Sequence, residues 1–214
     1  MVCIKAAMRW CDKPASRWMW IRLRVMGQQG WTLRSGELLK AGLHPRTIAA
    51  LVEAGTIERL VRGLYRWSDA PVATDRDLVI VARRIPKGVV CLVSALAIHG
   101  LTTQIPHAVH LALPRPTRAP VLDHPPVEIH LLAVAIHAAG VMTIDISGTA
   151  VRVYSPEKTL ADCFRFRNQI GMDVVLEALR AYRSRRGADL QRVLEFARIC
   201  RVEAGMRPYL EATA

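Results

Sequence analysis

The best-defined hydrophobic pattern in the chain predicts two short helices joined by a tight turn. Leu38 and Leu39 form the inward side of the first helix, for which Ser35 is a suitable N-cap. Ala41-Gly42-Leu43 supplies the turn, and Pro45 stands at the first position of the second helix, where a missing N–H costs nothing. The buried stripe of the second helix consists of three apolar residues at helical spacing, Ile48, Leu51 and Val52.

The opposite side of the second helix carries polar residues at its start. Arg46 and Thr47 lie in the first turn, where a recognition helix reaches base edges and phosphates in the major groove. His44 precedes the helix, and it is equally suited to donating to a phosphate and to capping the helix.

A change from helical to alternating period after Gly55 predicts a β-hairpin. Its strands cover residues 57–61 and 64–67, and Arg62-Gly63 forms the turn between them. Because side chains alternate across a strand, the arginines of the hairpin cannot all point the same way, and we expect Arg62 at the tip to be the main contact. The two helices and the hairpin predict a winged helix-turn-helix, whose wing arginines are Arg59, Arg62 and Arg66.

The regions around this motif complete the first predicted domain, residues 16–69. Residues 16–29 are expected to form its first helix, although a helix so rich in Trp and Arg also suits a membrane surface. Residues 31–33 are expected to form a short strand that pairs with the wing. Residues 1–15 fit no element and form a tail of uncertain status, and residues 68–74 form a linker.

Residues 75–214 predict a second, mixed domain. Ser155-Pro156-Glu157 is a strong helix start, with a cap followed by a first-position proline. The fold class is therefore α+β: an N-terminal winged helix-turn-helix, then a domain with a small β-sheet and a C-terminal helical set. The predicted helices cover residues 75–85, 89–101, 156–167, 173–186 and 189–202, and the predicted strands cover 107–113, 127–132, 141–146 and 150–154.

Composition and charge favour a polyanionic partner. The chain has 214 residues, of which 51% are hydrophobic and 22% charged, as in a globular protein, and its formal net charge is +12. Residues 13–69 contain ten Lys or Arg against four Asp or Glu, so half of the net charge lies in this segment, which includes the predicted winged domain. DNA is the simplest partner for such a domain. An Arg-heavy surface without a partner is the alternative, because 25 arginines stand against five lysines.

Cysteine usage and hydropathy argue against several other classes of protein. The five cysteines are odd in number and scattered, and they contain no CxxC pair, so neither a disulfide framework nor a structural zinc site is indicated. No apolar run approaches the roughly 20 residues of a membrane span, and the N-terminus has no clean signal peptide. We therefore expect a cytoplasmic protein with no membrane partner.

Residues of the types that catalyse reactions or bind metals have structural explanations in this sequence. Helix capping accounts for Glu157, pairing with Arg165 or Arg167 accounts for Asp162, and a core hydrogen bond accounts for His99. We expect no catalytic residue, no metal and no cofactor, since the remaining histidines match no known zinc spacing. These histidines are His107, His110, His124, His130 and His137.

Three segments resemble the AbiEi-type antitoxins of bacterial AbiE toxin–antitoxin pairs. They are GLHPRTIAALVEAGTIERLVRGLYRW, LVSALAIHGLT and VRVYSPEKTLADCFRFRNQIG, and the likeness runs from about residue 30 to residue 185. The resemblance implies an N-terminal winged domain that binds inverted promoter repeats and represses its own operon. It also implies a C-terminal domain that supports cooperative binding and neutralises a nucleotidyltransferase-like toxin. The first 25 residues depart from the family pattern, which leaves the true start of the chain open.

The sequence therefore predicts a non-enzymatic antitoxin and autorepressor. Its expected partners are double-stranded DNA with operator repeats, a nucleotidyltransferase-like toxin with or without stable contact, and a second copy of the chain on DNA. The residues expected to contact DNA are His44, Arg46, Thr47, Arg59, Arg62 and Arg66.

Two other functions stay open at this point. One is a metal-dependent nuclease with a DNA-targeting arm, with Asp123, Glu128 and Asp145 as its acidic candidates, although no E-x-K motif follows a suitable aspartate. The other is a transcriptional regulator without a toxin partner. A second basic stripe is suited to DNA backbone, to an acidic toxin surface or to solvent alone, and it consists of Arg165, Arg167, Arg180, Arg183, Arg185 and Arg186.

Overall fold

The structure is a computed structural model that describes residues 31–70, 75–118 and 121–212. The helix predicted over residues 16–29 and the tail before it lie outside the described residues. The chain divides into two compact units, which are taken in turn. The first extends to Arg83 and includes Asp145–Ala150, and the second comprises Arg84–Ile144 and the residues from Val151 onward.

The first unit contains the winged helix-turn-helix, as predicted. Its three strands form an antiparallel sheet in the order β1-β3-β2, and the turn of the wing lies at Arg62-Gly63. In chain order the elements are β1 (Thr32–Arg34), α1 (Ser35–Lys40), α2 (Pro45–Glu53), β2 (Ile57–Val61), β3 (Leu64–Trp67) and α3 (Arg76–Arg84).

Glycines end both helices of this motif. Gly42 follows α1 with φ of 93°, and Gly55 follows α2 with φ of 67°. After α1, the Leu43 N–H donates to the Leu38 carbonyl at 3.1 Å, and the Gly42 N–H donates to the Leu39 carbonyl at 2.9 Å. This is the Schellman arrangement, which requires a left-handed residue and so favours glycine.

Replacing Gly42 by alanine tests this requirement. No heavy atom lies within 4 Å of the position that a Cβ would take, so the substitution introduces backbone strain without a clash. We expect a loss of about 1–2 kcal/mol in the free energy of unfolding. Gly36→Ala is the matched control, because Gly36 lies in α1 in equally open space and a helical alanine there stabilises by up to about 0.5–1 kcal/mol. Equal effects of the two variants in urea unfolding would contradict the prediction.

One small core holds the recognition helix and the wing together. Its buried members come from both helices, the turn and two strands, and each is at most 5% exposed. Tyr65 and Trp67 of the wing pack against it from the side. The position of the wing relative to α2 is therefore fixed by packing, and the core residues are Leu33, Leu38, Leu43, Ile48 and Ile57.

The second unit is a five-stranded sheet with surrounding helices, so the fold class is α+β as predicted. The sheet order is β6-β5-β4-β8-β7; β4 pairs antiparallel with β5 and parallel with β8, and β5 pairs parallel with β6. Its strands are β4 (Val89–Val90), β5 (Val109–Pro114), β6 (Val127–Leu132), β7 (Val141–Ile146) and β8 (Thr149–Tyr154). Its helices are α4 (Leu92–Ile98), α5 (Val134–Ala138), α6 (Pro156–Arg165), α7 (Arg167–Ile170), α8 (Met172–Arg183), α9 (Leu190–Ile199) and α10 (Glu203–Ala212).

Several elements of this unit differ from the sequence prediction. Val89–Val90 was expected to open a helix, but it forms the central strand of the sheet, and the helix begins only at Leu92. A continuous apolar run does not distinguish a buried strand from a buried helix, which explains the error. Helices α5, α7 and α10 were not predicted. None of the helices in the described ranges has the length and apolar character needed to cross a bilayer.

Helix α6 contains a buried ion pair between Lys158 and Asp162 that the sequence did not predict. Lys158 and Asp162 are 0% and 1% exposed, and the Lys158 Nζ lies 2.5 Å from Asp162 Oδ2, one helical turn away. The Cys200 thiol donates to Asp162 Oδ1 at 3.3 Å, and the Lys158 ammonium lies 4.2 Å from the centroid of the Tyr154 ring. Asp162 was expected to pair with Arg165 or Arg167, but a buried carboxylate is stabilised best by a partner buried with it.

Most of the second basic stripe stabilises helix ends. Four of its six arginines donate to backbone carbonyls near helix C-termini, which lack partners within their own helices. This role differs from contact with DNA backbone, contact with an acidic toxin surface and exposure to solvent, for which the sequence suited the stripe. The four contacts are Arg165 to Cys200, Arg167 to Phe164, Arg183 to Leu210, and Arg185 to both His99 and Gly100.

Candidate nucleic-acid interface

The N-terminus of α2 carries the first group of predicted DNA contacts. His44 is the N-cap, and its Nδ1 accepts the Arg46 backbone N–H at 3.2 Å. In the neutral imidazole the proton then lies on Nε2, so the exposed ring keeps a donor. The two roles considered for His44, helix capping and phosphate contact, are therefore compatible. The positive end of the helix dipole also favours an anion here.

The outer side of α2 presents a charged side chain followed by small ones. Arg46 is exposed and Thr47 is half-buried in the first turn. Ala49 and Ala50 are exposed beyond them, so little side-chain bulk separates this part of the helix from a partner. Lys40, exposed in the last turn of α1, lies in the helix that crosses the DNA backbone in motifs of this kind. Sequence reasoning did not select Lys40, Ala49 or Ala50, although the predicted helix boundaries were sufficient to find them.

The wing carries the second group of predicted DNA contacts. Arg62 is exposed at the turn, and Arg59 is exposed on the edge strand β2. Arg59 stands opposite Tyr65, so it shares the face of the wing that packs against the core. The structure therefore places these two arginines at the surface of the same hairpin.

Arg66 differs from the other two wing arginines. It stands opposite Glu58 on one side and Thr32 on the other, on the face away from Tyr65. Its Nε lies 2.9 Å from Glu58 Oε1, and its side chain is only 14% exposed. The expectation of a DNA contact by Arg66 is thus not supported by its position, because strand alternation turns it toward an acidic partner.

The wing turn is attached to the start of α1. The Ser35 backbone N–H donates to the Gly63 carbonyl at 2.9 Å, and the Ser35 hydroxyl approaches the same oxygen at 3.3 Å. Ser35 was expected to cap α1, but the N-cap is Arg34, whose N–H donates to the Glu37 carboxylate at 2.7 Å. Ser35 is instead the first helical residue, and it links the helix-turn-helix to the residue beside Arg62.

Three residues of the second unit that sequence spacing left apart come together in the structure. His110, Glu128 and His130 bring their ligand atoms within 4.8 Å of one another, and among the described residues Asp123 and Asp145 take no part in such a group. His99 is a structural histidine as expected, since its Nε2 lies 2.7 Å from the Tyr154 carbonyl.

Comparison with known proteins agrees with the geometry of the first unit. Residues 27–66 match the model of a family described as "Transcriptional regulator, AbiEi antitoxin". The resemblance to AbiEi-type antitoxin regulators is confirmed over this segment. The matched segment includes α1, α2 and the wing as far as Arg66, and the match supports a regulator role of the antitoxin class.

Solved structures contribute evidence on the fold. The RV2827C protein from Mycobacterium tuberculosis is 15% identical, with a TM-score of 0.53, and the similarity covers 90% of this chain and 80% of that one. At this identity the likeness shows a shared fold alone. No curated protein sequence matches this chain.

Proposed function

We propose that this protein is an antitoxin that represses its own toxin–antitoxin operon by binding repeats in the promoter. The observation that carries the proposal is the attachment of two exposed cationic groups to one core: Arg46 at the start of α2 and Arg62 at the wing tip. In the proposed complex, His44, Arg46 and Thr47 enter the major groove, and Arg59 and Arg62 hold the adjacent backbone. Arg66 has a positioning role through Glu58.

Footprinting on the DNA upstream of the gene tests the repressor proposal. The full chain is expected to protect two half-sites whose centres are separated by about 10 base pairs or a multiple of this, because paired copies dock on one side of the helix. A shuffled sequence of the same length is the control for binding to phosphates alone. Equal protection of both DNAs would contradict operator recognition.

The proposed antitoxin activity acts against a nucleotidyltransferase-like toxin and needs no catalysis by this chain. The family match over residues 27–66 supports it. A nucleotidyltransferase-like gene beside this one is expected to arrest growth when it is expressed alone. Expression of this chain together with that gene is expected to restore growth. Operator binding without growth rescue would instead favour a regulator without a toxin partner.

A further inference from the structure

We propose that His110, Glu128 and His130 bind a divalent transition-metal ion of the zinc class in the second unit. None of these three residues belongs to the proposed DNA interface. Such a site also departs from the expectation of no metal, which was based on the spacing of histidines along the chain.

The pairing of two strands creates the group. Strands β5 and β6 run parallel, with His110 opposite Glu128 and Ala112 opposite His130. Because alternate residues of a strand share a face, Glu128 and His130 lie on the same side of the sheet as His110. The strands themselves, rather than flexible loops, therefore hold the three side chains together.

The distances suit a tetrahedral metal ion. The His110 Nδ1 lies 3.2 Å from His130 Nε2 and 3.4 Å from Glu128 Oε2. In a tetrahedral zinc site with bonds of about 2.0–2.1 Å, neighbouring ligand atoms are about 3.3–3.4 Å apart. The third separation, between the other two ligand atoms, is within 4.8 Å, and the Glu128 side chain is 60% exposed, which gives it room to adjust.

Hydrogen bonding alone accounts for only part of the arrangement. A neutral imidazole nitrogen has either one proton or one lone pair, and His110 Nδ1 has two close neighbours. One proton satisfies one of these contacts, whereas a cation is attracted to all three lone pairs at once.

The surroundings hold the ligands in place and leave room for another. The two imidazole rings stack with their centroids 5.5 Å apart, and the His130 ring packs edge-on against Phe166 at 5.2 Å. Glu128 and His130 also line an open cleft of about 700 Å³, beside Arg115 and Arg165. Two histidines and one carboxylate are a ligand set that zinc uses with water or another ligand in its fourth position. Imidazole ligands favour zinc, nickel or cobalt over magnesium or calcium.

Zinc titration of the full, untagged chain tests the site. Cys3 and Cys11 are changed to serine in every variant, since N-terminal thiols would otherwise bind zinc independently. We expect one zinc ion per chain, with affinity at least about 100-fold weaker in His110→Gln and His130→Gln, because even outer-shell changes cost 10–100-fold. His107→Gln is the matched control, since His107 is exposed on the same unit and outside the cluster.

Glu128→Gln separates loss of binding from loss of folding. Its side chain is largely exposed, so this variant is expected to keep the melting temperature of the zinc-free protein while binding zinc more weakly. Zinc is expected to raise the melting temperature of the parent chain and of His107→Gln, but much less that of the three cluster variants. The absence of zinc binding, or binding that is the same in all variants, would overturn the proposal.

Discussion

Replacing Arg46 and Arg62 together by alanine is expected to weaken binding to promoter DNA by about 30- to 1,000-fold. The range corresponds to about 2–4 kcal/mol, for one groove contact of about 1–3 kcal/mol plus one phosphate contact. Both side chains are exposed, so their removal leaves the core of the first unit intact. Each lost phosphate contact should also reduce the slope of log K against log salt by about one.

Mobility-shift assays at several salt concentrations measure both effects. Arg192→Ala combined with Arg207→Ala is the charge-matched control, because both arginines lie in the second unit, on α9 and α10, and pair with Glu195 and Glu203. Arg66→Ala provides a second comparison within the wing. Because the Arg66 side chain is only 14% exposed whereas Arg62 is exposed, Arg66→Ala should change the salt slope less than Arg62→Ala does. A double variant that binds as tightly as the parent chain would remove Arg46 and Arg62 from the interface.

Replacing Asp162 by alanine is expected to destabilise the second unit by about 3–5 kcal/mol. The substitution leaves Lys158, which is 0% exposed, without its partner at 2.5 Å. An unpaired buried charge is among the costliest defects in a protein interior. This loss is a large fraction of the 5–15 kcal/mol that typically separates folded from unfolded protein.

The matched hydrophobic replacement shows whether charge burial is the cause. In Lys158→Met with Asp162→Leu, both charges are removed together, and the methionine sulfur can pack against the Tyr154 ring. Most of the lost stability should return, since such replacements are often neutral. Glu195→Ala breaks an exposed pair of 2.8 Å and should cost no more than about 1 kcal/mol. A single Asp162 variant as stable as Glu195→Ala would refute this account.

The probes for this experiment follow from the composition of the chain. All five tryptophans precede residue 68, so none of them belongs to the second unit. Far-UV circular dichroism follows the second unit, because most of the helices in the described ranges lie there. We expect the Asp162 variant to lower the midpoint of the dichroism transition more than that of the fluorescence transition.

Local signals were sufficient to predict the winged helix-turn-helix. The helix ends at Gly42 and Gly55, the first-position Pro45 and the Arg62-Gly63 turn each depend on the conformational limits of a few adjacent residues. Such limits act within one turn of chain, so the sequence by itself determined where α1 ends, where α2 begins and ends, and where the wing turns. The short apolar run at Val89–Val90 lacked any such limit, and its position in the middle of a sheet decided its structure.

Pairing between distant residues was decided by the tertiary structure alone. Strand register turned Arg66 toward Glu58 and placed His110 beside His130, 20 residues away along the chain. Burial, rather than proximity in sequence, joined Asp162 to Lys158 in preference to an exposed arginine. The periodicity of a sequence specifies which face of a helix or strand a side chain occupies. The register between strands and the depth of packing specify which residues that face contacts.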